Sequence, residues 1–161
     1  MTPKIEVVRA IGFDFDGVFT DDRVITSQSG EESVICSRSD GLGIGMLQAA
    51  GIRMIIISKE PNPVVAMRAK KLKLEVIQGC NDKLPELLSW LHRIDCPPDE
   101  AAYMGNDIND LECLRAVGLA IVPCDAHPSA VAVADVVTRR PGGNGAIREI
   151  ADLLISNLKE P

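Results

Sequence analysis

Asp14 and Asp16 close the apolar run Ile11-Gly12-Phe13-Asp14-Phe15-Asp16-Gly17, with their carboxylates two residues apart. Residues two apart on a strand point to the same side, so the pair leaves a sheet edge together, and Gly17 frees the chain to turn just beyond. Two acids held this close call for a cation. They can also divide labour, one attacking as a carboxylate while the other carries a proton. Taken alone, the run also reads as a strand end with solvated turn acids.

Three further segments carry complementary chemistry. Ser58-Lys59-Glu60 follows one apolar run, Gln78 to Lys83 follows another, and Gly105-Asn106-Asp107-Ile108-Asn109-Asp110 follows a third. If these runs are parallel strands, all of the segments gather outside the carboxyl ends of one sheet, where open α/β sheets bind ligands. A hydroxyl, an ammonium and two acid clusters there suit a phosphate and a metal ion.

The elements that must position them follow from the hydrophobic pattern. Residues 7–15 predict a first strand, apolar on both faces and therefore central. Residues 23–26 and 33–36 predict a β-hairpin projecting beside the acid pair, and an apolar helix follows from Asp40 to Ala50. From there strands over 53–58, 75–77, 101–104, 119–122 and 136–138 alternate with helices over 61–72, 83–91, 107–117, 128–133 and 146–158. Such alternation predicts an α/β fold, a doubly wound parallel sheet with helices on both faces and right-handed crossovers.

Composition agrees. The 161 residues suffice for one domain, 1–161, and the apolar content is rich in Ala, Val, Ile and Leu but poor in aromatics. A net charge of −6 argues against nucleic acid as a partner, because backbone binding rests on clustered Lys and Arg. Cys36, Cys80, Cys96, Cys113 and Cys124 lack metal-ligand spacing and read as buried thiols. No apolar run approaches the length of a membrane span, and Met1-Thr2-Pro3-Lys4-Ile5-Glu6 lacks the apolar segment of a signal peptide, so the expected compartment is the cytoplasm. The glycine-rich stretch Gly142 to Glu149 meets a helix and could cradle a phosphate. His92 and His127 read as structural.

Together, Asp14-Phe15-Asp16-Gly17-Val18-Phe19-Thr20, Ser58, Lys83 and Gly105-Asn106-Asp107-Ile108-Asn109-Asp110 resemble, in order and spacing, the four motifs of the haloacid dehalogenase superfamily of phosphatases. The lack of a sizeable cap insertion, the hairpin after the first motif, Asp125-Ala126-His127-Pro128 and the tail Arg139 to Glu149 are similar to its capless branch. That branch holds the 3-deoxy-manno-octulosonate 8-phosphate phosphatases, the nononate and sialic acid 9-phosphate phosphatases, and the C-terminal domain of some acylneuraminate cytidylyltransferases. The likeness spans nearly the whole chain.

The resemblance implies a magnesium-dependent phosphatase acting on a small phosphorylated sugar acid, with Asp14 forming an aspartyl-phosphate. Asp16 would protonate the departing sugar oxygen and later deprotonate water. Ser58 and Lys83 would hold the phosphoryl oxygens. Mg2+ would sit among Asp14, the Asp16 backbone carbonyl and the fourth motif, for which Asn106, Asp107 and Asp110 are the candidates. The family generally has an acid where this chain has Asn106. An amide oxygen can ligate magnesium but brings no charge, so affinity should fall unless Asp107 or Asp110 compensates.

Glu60 and Lys71 stand where the nononate phosphatases place an acid and a base that read the sugar, and Asn109 joins them as a substrate contact. The octulosonate enzymes tend to have Arg at the first of these places, which tilts the reading toward a nine-carbon acid sugar. On residue type alone, a helix N-terminal acid and a solvated lysine fit equally. The resemblance also implies a homotetramer in which a neighbouring subunit closes the capless site. A second reading is a noncatalytic domain supporting oligomerisation in a sialic acid or nucleotide-sugar pathway.

Overall fold

In the computed structural model, residues 5–158 are described. Of residues 1–6, from which the absence of a signal peptide is expected, the first four lie outside this range. Six strands form one parallel sheet: β1 (Ala10–Phe13), β4 (Arg53–Ile57), β5 (Glu75–Ile77), β6 (Ala101–Met104), β7 (Leu119–Val122) and β8 (Val136–Val137), in the order β5-β4-β1-β6-β7-β8. Between β1 and β4, β2 (Ile25–Thr26) and β3 (Glu32–Ser33) pair antiparallel as the expected hairpin, shorter than its β-prone runs. The central strand is also shorter than its apolar run. Residues Ile5–Val7 form a 3-10 turn, and the ladder ends at Phe13 because the chain then bends to present its acids.

Six helices cover the sheet: α1 (Arg38–Ala49), α2 (Pro63–Leu72), α3 (Lys83–Arg93), α4 (Leu111–Ala116), α5 (Pro128–Val131) and α6 (Ala146–Leu158). Strand side chains alternate between two cores, as a period of two requires. Ile11, Phe13, Ile56 and Met104 pack with Ile44 of α1, Val65 of α2 and Ile150 of α6. Ala10, Ile55, Tyr103 and Val122 pack with Leu87 of α3, Leu114 of α4 and Ala130 of α5. Both faces of the sheet are thus buried, which explains strands that read as nearly continuous apolar runs.

Local chemistry sets the helix starts. The Ser37 hydroxyl accepts from Asp40 N at 3.3 Å, so α1 begins earlier than Asp40. The Asn62 side chain caps α2, with Pro63 at the first helical position, and Lys73 closes it in the left-handed region at φ 57°. The expected helix over 107–117 divides into a 3-10 turn, Ile108–Asp110, and α4, because Asp107 and Asp110 cap the turn reciprocally.

The glycine-rich tail does not cradle a phosphate. Asp40, buried on α1, occupies the start of α6, where its Oδ2 accepts from Gly145 N at 3.2 Å and its Oδ1 from Arg148 N at 3.0 Å. An internal carboxylate already satisfies those amides. The cysteines are free, and only Cys96 and Cys113 are buried; Cys36 and Cys80 are half-buried and Cys124 is exposed. Among the described residues, no helix is long and apolar enough to cross a membrane.

Candidate active site

Sheet register brings the candidate residues to one level. Phe13 lies opposite both Ile56 of β4 and Met104 of β6. Continuing those ladders sets Asp14 level with Ile57 and Gly105, and Ser58 and Asn106 one residue beyond. Asp14 N still bonds the Met104 carbonyl at 2.9 Å, so the acid is held on the sheet while the chain after it turns away. Gly17 makes that turn at φ +80°, and a Cβ there would overlap the Asn106 amide at 1.9 Å.

A cavity of about 540 Å³ opens at this edge. Asp14, Asp16, Ser58, Glu60, Asn106, Asp107 and Asn109 line it, as the motifs predict. Lys59 and Asn81 line it too, from the strand-end segments expected here, and so does Asp22, to which no motif pointed. The signal for Asp22 was its place directly after Thr20-Asp21. It sits at φ 67°, a conformation that Asp tolerates better than most residues, and this turns it toward the acid pair.

The Asp14 carboxylate is buried and its two oxygens are used differently. Oδ1 accepts from Phe15 N at 2.7 Å and from the Lys83 ammonium at 2.8 Å. Oδ2 faces the Asn106 side chain, whose nearer amide atom lies 3.1 Å from it and 2.9 Å from the Asp16 carbonyl oxygen. Turned one way, the amide nitrogen donates to both; turned the other, three oxygens converge. Adjacent oxygen ligands of an octahedral Mg2+ with bonds of about 2.1 Å lie about 3 Å apart, so this donor set fits that ion. Burial and the charge of Asp110 push the Asp14 pKa up, against the pull of Lys83. A carboxylate so burdened gains from a cation at Oδ2.

Asp16 is half-buried beside it. Burial and the charges of Asp22 and Glu60 raise its pKa, opposed by Lys83 and by a hydrogen bond from Thr20. Thr20 is wholly buried, and its oxygen accepts from Gly17 N at 3.2 Å and Asp22 N at 3.1 Å, which fixes the loop carrying the acid. The Ser58 hydroxyl accepts from Glu60 N at 3.1 Å, leaving its own hydrogen to donate. Glu60 in turn accepts from Asn62 N at 3.0 Å.

Three expectations change. Asp110 does not offer itself to a metal. It is fully buried beneath the cavity, with Oδ1 taking Lys83 Nζ at 2.8 Å and the Tyr103 hydroxyl at 2.9 Å, and Oδ2 taking Asn106 N at 2.9 Å and Asp107 N at 3.3 Å. Lys83, 3% exposed, lies behind Asp14 rather than on the cavity wall; burial would lower its pKa, but Asp14 and Asp110 together raise it. Lys71 does not reach the cavity of its own chain. It stands near the end of α2, roughly 12 Å along the helix from the cavity end. There it lines a separate surface with Arg38, Met67 and Arg68 beside the hairpin.

Known proteins of the same kind bear on this arrangement. The family model of haloacid dehalogenase-like hydrolases matches residues 47–150. The 3-deoxy-D-manno-octulosonate 8-phosphate phosphatase of Escherichia coli is 35% identical over 153 residues, covering 94% of this chain and 81% of its own. A haloacid dehalogenase family hydrolase from Streptomyces avermitilis superposes with a TM-score of 0.91 at 44% identity, over 98% of this chain and 91% of that one. The octulosonate 8-phosphate phosphatase of Moraxella catarrhalis, solved with a magnesium ion, a phosphate ion and a KDO molecule, superposes with a TM-score of 0.92 at 32% identity, over 96% and 89%.

Proposed function

The chain belongs to the haloacid dehalogenase-like hydrolases and is a phosphatase, and from that premise we propose that it hydrolyses the phosphate monoester of an eight- or nine-carbon 2-keto-3-deoxy sugar acid through a phosphorylated Asp14. The observation that carries this reading is the cluster of Asp14 Oδ2, the Asp16 carbonyl and the Asn106 amide, whose oxygen can turn toward the other two, with Lys83 against the other oxygen of Asp14. Those three oxygens would hold Mg2+, which supplies positive charge to the phosphoryl oxygens when bound.

The chain's own groups then divide the work. An Asp14 carboxylate oxygen bonds to phosphorus as the phosphorus–sugar oxygen bond breaks, and Asp16 gives its proton to the departing oxygen. Its raised pKa suits it to carry that proton. Asp16, now a carboxylate, takes a proton from water as the water oxygen bonds to phosphorus and the phosphorus–Asp14 bond breaks. Ser58 donates its free hydroxyl hydrogen to a phosphoryl oxygen. Lys83 offsets the charge of Asp14, so that a dianion can approach.

Glu60 and Asn109, at the mouth, would take hydrogen bonds with sugar hydroxyls, and the acid at Glu60 favours the nine-carbon sugars. Among the lining residues of the cavity, Lys59 is the sole cation, set against Asp14, Asp16, Asp22, Glu60 and Asp107. A sugar carboxylate therefore needs positive charge from elsewhere. In a homotetramer the outward Lys71 of a neighbouring subunit would provide it, and the exposed Val24, Ile25 and Ile35 of the hairpin would pack in the same contact.

A panel of phosphorylated eight- and nine-carbon acid sugars, with and without Mg2+, tests the reading. Magnesium-dependent release of phosphate from one of them, abolished in a folded Asp14→Asn variant, is the expected result. Activity retained by Asp14→Asn overturns it.

A further inference from the structure

Tyr103, the single tyrosine of the chain, lies wholly buried on β6, and the reaction as described leaves it without a task. Its ring stands over Gly12, and its hydroxyl donates to Asp110 Oδ1 at 2.9 Å, the same oxygen that receives Lys83 Nζ at 2.8 Å. Lys83 in turn reaches Asp14 Oδ1 at 2.8 Å. A continuous chain of short hydrogen bonds therefore runs from the tyrosine to the proposed nucleophile.

Asp110 is the turning point of that chain. Its Oδ2 is tied to the backbone amides of Asn106 and Asp107, so its Oδ1 can satisfy only what lies on the side of Lys83. Two donors share that oxygen. With both in place, neither Asp110 nor Asp14 owns the ammonium outright. Take away the phenol and Asp110 keeps a bare lone pair in a buried setting, where an unmet acceptor is costly. The Lys83 ammonium, already bonded to that oxygen, is a mobile charged donor that can answer it, and it does so by moving toward Asp110 and away from Asp14.

We infer that Tyr103 is a positioning residue for phosphoryl transfer: its hydroxyl saturates Asp110, so that Lys83 stays engaged with Asp14. Burial and the nearby charges of Asp110 and Asp14 push the phenol pKa well up, so the hydroxyl keeps its proton and remains a donor. The inference rests on Asp14 being the phosphoryl acceptor.

Because the chain has one tyrosine, growth on 3-fluorotyrosine labels this position alone and leaves every other side chain unchanged. The test has two arms. In the first, Tyr103→Phe keeps the ring and loses the hydroxyl; kcat per active site should fall on the order of tenfold, the weight of one hydrogen bond to a charged group, with KM within about twofold. Active sites are counted by the stoichiometric uptake of beryllium fluoride with Mg2+, a mimic of an acyl phosphate on a carboxylate. In the second, the 19F resonance of the labelled wild-type protein should shift when Mg2+ and beryllium fluoride are added, and stay in place in Asp14→Asn.

A merely structural tyrosine would change the fraction of active sites but not the rate at each, and its resonance would ignore the acyl-phosphate mimic. An unchanged kcat per site in Tyr103→Phe, or a resonance that stays in place in the wild type, overturns the inference. If Tyr103→Phe fails to fold, the 19F arm decides. Wild-type protein that takes up no beryllium fluoride overturns the role of Asp14 and this inference together, whereas uptake without a 19F shift overturns this inference alone.

Discussion

Lys83 Nζ lies 2.8 Å from Asp14 Oδ1, with both side chains buried. Its second partner, Asp110, is also 2.8 Å away and fully buried, so one ammonium separates two carboxylates that water does not screen. Such a triad holds only while it is complete, because breaking it strands charge in a low-dielectric setting.

Lys83→Met should therefore cost both rate and stability. The loss of stability is expected to be about 3–5 kcal/mol at neutral pH, the usual penalty for removing one partner of a buried pair. Without the lysine, which pulls it down, the folded-state pKa of Asp14 rises further above its unfolded value. Groups of that kind favour the fold when protonated, so the variant should regain stability as pH falls and lose it as pH rises through the folded-state pKa. Urea unfolding at pH 5 and pH 8 checks this, and a variant equally destabilised at both would contradict it.

Asp22 reaches Asp16 through charge. Burial comes first among the causes that raise the Asp16 pKa, and Asp22 comes next. If Asp16 acts as the acid, the alkaline limb of the kcat profile marks its deprotonation. Asp22→Asn removes a negative neighbour, lowers that pKa and should move the alkaline limb to lower pH. The acid limb should move much less. A pH–rate series on the same substrate reads both limbs, and a shift of the alkaline limb to higher pH would be the wrong sign.

Asn106 supplies an uncharged oxygen to the three-oxygen cluster. Asn106→Asp is nearly isosteric and adds one negative charge beside the cation. The Mg2+ concentration for half-maximal activity should drop at least about tenfold, since a unit charge a few ångströms away is worth more than the ~1.4 kcal/mol that a factor of ten requires. Without Mg2+ the same variant sets two carboxylates and a carbonyl oxygen together and should melt at a lower temperature than the parent. Magnesium titrations of activity and of thermal melting measure the two opposed effects.

Gly142 buttresses the loop that carries Asp16. A Cβ at Gly142 would lie 1.8 Å from the Gly17 carbonyl oxygen, and the next amide, Gly143 N, bonds the Val18 carbonyl at 2.9 Å. Gly142→Ala must displace one loop or the other, because the obstructing atom is backbone. The expected result is a fall in kcat of at least about tenfold, the scale for small misplacements of catalytic groups, with the far-ultraviolet circular dichroism spectrum unchanged. Wild-type turnover in this variant would show that the tail does not support the acid.

Much of this was legible in the linear order of residues. The alternating apolar runs predicted a doubly wound sheet, and that topology alone sends Asp14, Ser58 and Asn106 to one edge, because parallel strands in register end at one level. That level is a consequence of short-range geometry, which a parallel sheet imposes whatever packs against it. Asp16 also lines the cavity, but it stands in the turn after β1, so the turn and not the strand period brings it there.

Where a side chain points once it leaves that edge was decided by contacts between distant segments. Asp110 has the residue type and spacing of a metal ligand, yet it turns inward because Lys83 and Tyr103 meet it from α3 and β6. Asp40 ends on a helix start that follows it by more than a hundred residues, and so closes a glycine-rich loop that looked open to phosphate. Lys71 is carried from the edge by the length of α2. The order of residues is enough to place the sheet, its edge and the kinds of atoms gathered there; which carboxylates are satisfied internally and which remain for a cation is settled by packing, because that depends on donors arriving from elsewhere in the chain.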